Sequence, residues 1–469
     1  MLAKSLLRRL ICLLAAPALL LGGCQTVESL GDHTAATLGF GDDTPKAYTA
    51  SQESEARRLG VAVADEPLAA RAGASVLTSS GSAVDAVATM FFTLTTTYPV
   101  AAGLGSGGIC LVSEANGQVT EFDFLTKAPQ RAGAYALPGA VKGFSTMHKL
   151  YGAMPWQRVV APGEAYAATG FPISQALAAR LAGAQNIVRL DATLAAEFLD
   201  QSGNLLAAGA EAKNPALGLS LSQIRLNNAD GFYSGPVANQ IVAYSDAQGG
   251  GISAQELAAT TVLQGPARSR NLGNLAVWLP GARTGAGAFS ASVLGNLSPR
   301  GVRVPAGGTT AAIQQALAAF GVASLPGDFG STGFAAVDAN GQAAACAVTL
   351  NGPFGSGRTA TGTGVVLGAT PSSTTGLASA FLTPVIATSG RTTALAGAGA
   401  GGPNGTGAAL YAVLEMASGR PLGKRGDLRG TGRAPYDTVN MISCNEQACV
   451  ALADPGAHGS GAVAEDRGQ

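Results

Sequence analysis

Glycine sets the grain of this chain. The 469 residues include 65 Gly, about twice the usual share, and they follow no three-residue period of the kind a collagen helix needs. Irregular glycine cuts the apolar stretches short. Beyond the N-terminal run at residues 10–21, no apolar run reaches 18 residues free of charge and Gly, so nothing else reads as a membrane span. Such a chain builds many short helices and strands stacked in layers. Of its residues 47% are hydrophobic and 12% charged, which supplies enough apolar surface to offset ordering entropy. Lys+Arg and Asp+Glu stand at 29 each, for a formal net charge of zero. The electrostatic footprint of a nucleic-acid binder is missing, so no nucleic-acid partner is expected.

The first 24 residues read as an address. Lys4, Arg8 and Arg9 precede the apolar run, which has the length of a signal h-region. It ends in Leu21-Gly22-Gly23-Cys24, which resembles the lipobox of bacterial lipoproteins. Cys24 is then the expected lipidation site and mature N-terminus, and two or more acyl chains anchor stably. The expected location is exported and lipid-anchored, facing the periplasm. Gln25 lacks the Asp that retains many lipoproteins at the inner membrane, which points to the outer one. Residues 25–54 are polar and aperiodic and read as a flexible tether, in which His33 is expected to be solvated.

From about residue 60 the texture changes. Residues 61–64 read as a strand, while 67–77 and 82–97 carry helical spacing, the second with Ser82 as N-cap and Asp85 at N3. The loop Gly103-Leu104-Gly105-Ser106-Gly107-Gly108 runs into a strand at 109–112. Helices are expected around 141–151, 174–184, 190–200, 254–259, 310–320 and 407–417. Strands are expected at 334–338, 343–350 and 363–367, with Asn340-Gly341 as a hairpin turn, and a strand pair at 438–452. Helical layers beside antiparallel hairpins make an α+β body.

Of six Cys, Cys12 leaves with the signal and Cys24 takes lipid. Cys444 and Cys449 flank a short turn in a chain expected to be exported, and a disulfide between them is expected. Cys110 and Cys346 sit in apolar strands and read as buried small hydrophobes. Gly103-x-Gly105-x-x-Gly108 matches a dinucleotide fingerprint in letters only. That motif follows a strand and opens a helix, and here the order is reversed. His33, His148 and His458 do not furnish a triad or a zinc site. No metal and no cofactor is expected, and a hydrolase built on this chain needs a nucleophile activated by something other than His.

The blocks, read in order, resemble the γ-glutamyltranspeptidase family of N-terminal-nucleophile hydrolases. Gly81-Ser82-Ala83-Val84-Asp85-Ala86, Pro99 and the Gly103–Gly108 loop are similar to its G-N-A-V-D-A…E-P…G-x-G-G-G signature. Leu137-Pro138-Gly139-Ala140-Val141-Lys142-Gly143, Tyr151-Gly152-Ala153-Met154-Pro155-Trp156 and Gly170-Phe171-Pro172-Ile173-Ser174 follow further family blocks. So do Gly231-Phe232-Tyr233-Ser234-Gly235, Phe354-Gly355-Ser356-Gly357, Gly401-Gly402 and Ala453-Asp454-Pro455. The resemblance implies a four-layer αββα sandwich made of a large-subunit-like segment, 55–330, and a small-subunit-like segment, 331–469.

It also implies chemistry. The family's precursor cuts itself before a Thr whose hydroxyl becomes the nucleophile and whose freed α-amine serves as base. An α-amine of pKa roughly 7.7–8.0 takes a hydroxyl proton near neutral pH without any His. Sliding T-T-H-x-S-V-V-D onto Ser331-Thr332-Gly333-Phe334-Ala335-Ala336-Val337-Asp338 puts Ser331 at the nucleophile. Thr349 then falls on the Thr that hydrogen-bonds it, and choosing Thr332 breaks that spacing by one. Gly401 and Gly402 fall on the oxyanion-hole pair, and Asn351 on a substrate-binding Asn. A polar turn entering a strand is the structural alternative for Ser331-Thr332.

Substrate recognition departs from the family. Leu125, in Asp123-Phe124-Leu125-Thr126-Lys127-Ala128-Pro129, stands where the family has the Arg that holds the glutamyl α-carboxylate. Ala380-Phe381 replaces its Ser-Ser pair, and Ala369-Thr370-Pro371-Ser372-Ser373 lacks the acids of N-Q-M-D-D. The expectation is a γ-glutamyltransferase-like hydrolase or acyltransferase acting on a small-molecule amide or peptide with an altered acyl group. The alternative is a non-catalytic periplasmic binding or scaffolding lipoprotein that retains the fold. Oligomeric state is left open.

Overall fold

Two antiparallel sheets face each other across a dry interior in the computed structural model, which describes residues 60–299, 301–302, 308–372, 376–420, 422–423, 436–445, 448–454 and 456–464. The segments read as a signal and a tether, with Cys24 and His33, and also Ser373 and Pro455, lie outside the described residues. In chain order the strands begin with β1 (Val61–Ala64), β2 (Gly107–Ser113), β3 (Val119–Asp123), β4 (Phe171–Pro172) and β5 (Glu211–Ala212). Then come β6 (Leu263–Pro266), β7 (Arg268–Leu272), β8 (Leu275–Leu279), β9 (Ser331–Val337), β10 (Ala343–Thr349), β11 (Thr359–Ala360) and β12 (Val365–Val366). The last are β13 (Thr383–Ser389), β14 (Thr392–Ala400), β15 (Thr438–Cys444), β16 (Cys449–Leu452) and β17 (Ser460–Val463).

The first sheet has seven strands in the order β17-β1-β9-β10-β2-β3-β6, and the second has six in the order β16-β15-β14-β13-β8-β7. Alternation along each strand divides its side chains between two faces. Val61, Val63, Leu111, Ala335, Val337, Ala343 and Ala345 meet Ile386, Ala396 and Ile442 between the sheets. The other face of the first sheet lies under the helices Pro67–Thr78 and Ala83–Thr97. Phe334 of β9 stacks there on Phe144, which stacks on Phe91 at 4.3 Å. Outside the second sheet, helices Gly285–Leu297, Thr310–Ala319 and Pro403–Ala417 close a second core with Val385, Leu395 and Val439. The result is the four-layer αββα sandwich that the resemblance implies.

Sequence motifs account for local joints. Ser82 and Asp85 form a reciprocal capping box on helix Ala83–Thr97. The same Asp85 Oδ2 accepts from the Ala153 and Met154 amides at 2.8 and 3.0 Å, tying that helix to the turn before Trp156. His148, 3.4 Å from Asp85 and bonded to the Met154 carbonyl, belongs to this joint. The hairpin at Asn340-Gly341 joins β9 to β10 as expected, with Gly341 at φ 83°.

Two expectations are corrected. The segment at 363–367 forms only the short β12, paired with β11. Cys110 and Cys346 are both fully buried, but they are joined in a disulfide across β2 and β10. Cys444 and Cys449 are likewise joined, across the β15–β16 hairpin.

Candidate active site

The centre of the site is the first residue of β9. Ser331 pairs with Thr349 of β10 and shares the face of Ala335 and Val337, so its side chain points at the second sheet. Gly333, two residues on, lies against Ala398 of β14, which continues to Gly401. The Gly401 N–H donates to Ser331 Oγ at 2.8 Å. Thr332 faces the other way and donates to Asp65 Oδ2 at 2.6 Å. Register and geometry both place Ser331, not Thr332, beside the glycine pair.

That pair adopts a backbone few other residues tolerate. Gly401 has φ 85°, and a Cβ there would run into the Tyr436 carbonyl oxygen. Gly402 caps the N-terminus of helix Pro403–Ala417, so the positive end of that helix faces Ser331's surroundings. Backbone N–H groups and a helix dipole there suit the oxygen of a tetrahedral acyl-transfer intermediate.

The peptide before Ser331 is held from both sides. The Gly330 carbonyl accepts from the Leu350 N–H at 3.0 Å, and Thr349 Oγ1 lies 3.1 Å from it. Thr349 Oγ1 is also 3.1 Å from the Phe329 carbonyl and accepts from the Asn351 N–H at 2.9 Å. Its single proton therefore serves one of the two carbonyls at a time. Gly330 stands at φ 55°, and its N–H donates to Asp328 Oδ1 at 2.7 Å. The same carboxylate oxygen takes Arg180 Nη2 at 2.6 Å.

Arg180 was not legible as a site residue. It is fully buried in helix Gln175–Gly183, with its guanidinium 5.7 Å from the Tyr98 ring and 5.6 Å from the Tyr436 ring. Burial opposes its charge, but Asp328, Tyr98 and Asp65 more than offset that and hold it protonated. Asp65, fully buried after β1, accepts from Thr332, Thr438 at 3.0 Å and Asn440 at 2.6 Å. Burial raises its pKa above the ordinary carboxylate value, against the pull of those donors and Arg180.

Asn351 ties together the segments that depart from the family pattern. Its Nδ2 donates to Thr126 Oγ1 and the Ala369 carbonyl, both at 2.9 Å, and its Oδ1 accepts from Ser379 at 3.3 Å. Leu125, next to Thr126, packs against Ile109, Ala286, Ala347, Leu382 and Ala398. Lys127 is exposed. Phe381 is buried edge-on to Phe289 at 4.7 Å and Phe329 at 5.2 Å, and the Phe329 ring lies against Gly402. The glycine pair thus has an aromatic wall on one side and the Asp437 carboxylate on the other, its Oδ1 lying nearer to Gly402 than the Phe329 ring does. Among the described residues no group of three or more His, Cys, Asp or Glu is placed to hold a metal ion, and no helix is long and apolar enough to cross a membrane.

The sequence profile of the family described as Gamma-glutamyltranspeptidase matches residues 69–320, more than half of the chain. This protein belongs to the γ-glutamyltranspeptidase family. The chain is 30% identical over 280 residues to the glutathione hydrolase proenzyme of Escherichia coli K12, covering 55% of this chain and 46% of that one. Against the acylase ACY 1 proenzyme of a Pseudomonas species it is 27% identical over 238 residues, covering 45% and 42%. It spans about half the length of the curated relatives it matches. Among solved structures, cephalosporin acylase from Bacillus halodurans superposes with a TM-score of 0.69 at 17% identity, covering 91% of this chain and 98% of that one. That likeness shows a shared fold over nearly the whole length, including the segment beyond the profile match that holds Ser331.

Proposed function

We propose that the protein is a self-processing amide hydrolase or acyltransferase whose nucleophile is Ser331. The observation that carries this reading is Ser331 Oγ at the Gly401 N–H, directly after a peptide whose carbonyl is met by Leu350 N–H and Thr349 Oγ1. In the first step Ser331 Oγ attacks the Gly330 carbonyl carbon. The C–N bond breaks, the Gly330 acyl group moves to oxygen, and the hydroxyl proton goes to the released amine. Water then hydrolyses the ester, leaving a Gly330 carboxylate and a free Ser331 α-amine. In turnover that amine takes the Oγ proton as Oγ attacks a substrate amide, and returns it to the leaving amine. Gly401 and Gly402 stabilise the oxyanion, each good donor being worth about 3–4 kcal/mol in comparable sites. Two of the relatives named above bear the word proenzyme, which supports processing.

The acyl group we infer is uncharged or apolar, because Leu125 and Phe381 present carbon where a glutamyl head meets an Arg and a Ser in the family pattern. We also infer export and anchoring through Cys24. The non-catalytic reading, a binding or scaffolding lipoprotein, draws on the same loss of charged partners. One preparation tests these together. Protein purified from membranes and run on a reducing denaturing gel should give a fragment with acylated Cys24 at its N-terminus and a second fragment beginning at Ser331. Ser331→Ala should give a single chain. An active wild type that remains one intact chain would overturn the nucleophile assignment, and a split chain with unmodified Cys24 would overturn the anchor.

A further inference from the structure

Cys110 and Cys346 are 236 residues apart in sequence and directly opposite in the ladder, with their Cα atoms 4.1 Å apart. The Gly330–Ser331 peptide lies between them in the chain. The other disulfide, Cys444–Cys449, closes a hairpin wholly on the C-terminal side of that peptide. We propose that Cys110–Cys346 is a covalent seam, so that a chain cut before Ser331 remains one covalently linked molecule. This rests on the self-processing reading above.

The position suits the role. β2 and β10 are neighbours in the interior of the first sheet, one from each side of the cut. Leu111, Ala343 and Ala345 face the inter-sheet core, so by alternation Cys110 and Cys346 face the helix layer, where both are fully buried. Solvent reductants do not reach them in the folded state. The bond therefore forms before the layer closes: two thiols give up two protons and two electrons to a disulfide-bearing oxidant, which leaves as a dithiol. Oxidising compartments supply that class of oxidant.

The bond changes what cleavage does. Without it, each opening of the sheets is an opportunity for two fragments to diffuse apart, and reassembly is bimolecular. With it, β2 and β10 stay joined at their paired cysteines, so reassembly becomes intramolecular. The central β2–β10 register then re-forms at a rate independent of protein concentration.

The test uses the full chain, isolated from an oxidising compartment and alkylated in denaturant without reductant. Two fragments on a reducing gel and a single band of full mass on a non-reducing gel are expected. Peptide mapping should find Cys110 joined to Cys346, which separates this bond from one made by Cys24. Ten-fold dilution should leave the refolding rate of the oxidised, cut protein unchanged and slow that of the reduced protein about ten-fold. Two fragments in the absence of reductant would overturn the seam. A single band under both conditions would instead sink self-processing. In that case a protease site inserted at residues 322–326 of the Ser331→Ala chain supplies the cut. Fragments that then separate only with reductant uphold the seam, and fragments that separate without it overturn it.

Discussion

At the scale of single residues, the proposed acyl preference turns on Leu125. A buried charge left without its partner costs about 3–5 kcal/mol, whereas an apolar acyl group gains about 25 cal/mol for each Å² it buries. N-acyl amides without an amino-acid head should therefore be cleaved with higher kcat/KM than a γ-glutamyl anilide, and Leu125→Arg should narrow the gap. A wild type that prefers the γ-glutamyl anilide would show that another cation serves the carboxylate. A second residue governs stability. Glu197 is buried against Asn214 Nδ2 at 2.9 Å, and burial pushes its pKa up to about 8. A carboxyl raised in the folded state is protonated there while the unfolded chain has already released its proton. Stability should fall as pH rises from the ordinary carboxylate range to about 8, with a limiting slope near 1.4 kcal/mol per pH unit. Glu197→Gln, which cannot titrate, should flatten that slope in thermal melts taken from pH 5 to 8, and an unchanged slope would exclude Glu197 as its source.

At the scale of elements, the junction between helix Gln175–Gly183 and the chain entering β9 holds the Gly330–Ser331 peptide, and under the proposed self-processing it presents that peptide for attack. Arg180 reaches from that helix to Asp328, whose carboxylate also holds the Gly330 N–H. Arg180→Met removes one half of a pair whose side chains are 0% and 11% exposed. It should destabilise the fold by about 3–5 kcal/mol and slow the split even at temperatures where circular dichroism shows a folded chain. Asp328→Asn on top of it should recover stability without restoring the split. Normal processing in a folded Arg180→Met chain would exclude the clamp. Arg180 went unread because nothing in Ala178-Ala179-Arg180-Leu181 distinguishes a buried Arg from one on a solvated helix face; burial here comes from Tyr98 and Tyr436, distant in sequence. Helix Ala83–Thr97 was legible because its capping box is local. Helix Trp156–Thr169 was not, since Pro162 sits inside it. Strand β14, Thr392–Ala400, carries little but Ala, Gly and Thr, and becomes a strand through its neighbours β13 and β15 rather than through propensity. The Cys110–Cys346 pairing was hidden for the same reason, because cross-strand register is a long-range property.

At the scale of the whole molecule, the cut proposed before Ser331 divides the sequence but not the fold. β9 lies between β1 from one side of the cut and β10 from the other, and β10 in turn lies against β2. In the second sheet β13 pairs with β8, again across the cut. Residues 331–469 alone keep the β9–β10 hairpin and the strands β13 to β16, but lose β1, β2 and β8 beside them, and with these Val61, Val63, Leu111, Leu275, Val277 and Leu279. The apolar inner face of each sheet then meets water, at about 25 cal/mol for each Å² uncovered. Against a net stability of about 5–15 kcal/mol for a native domain, that loss is decisive. Expressed by itself, the 331–469 segment should bind a hydrophobic dye strongly and show no cooperative thermal transition, while the cut full-length protein should melt in one transition at the temperature of the uncut Ser331→Ala chain within a few degrees. A sharp melt for the isolated segment would mean that the two halves are independent folding units, and that the interleaved strands are an assembly of finished parts rather than one core completed before it is cut.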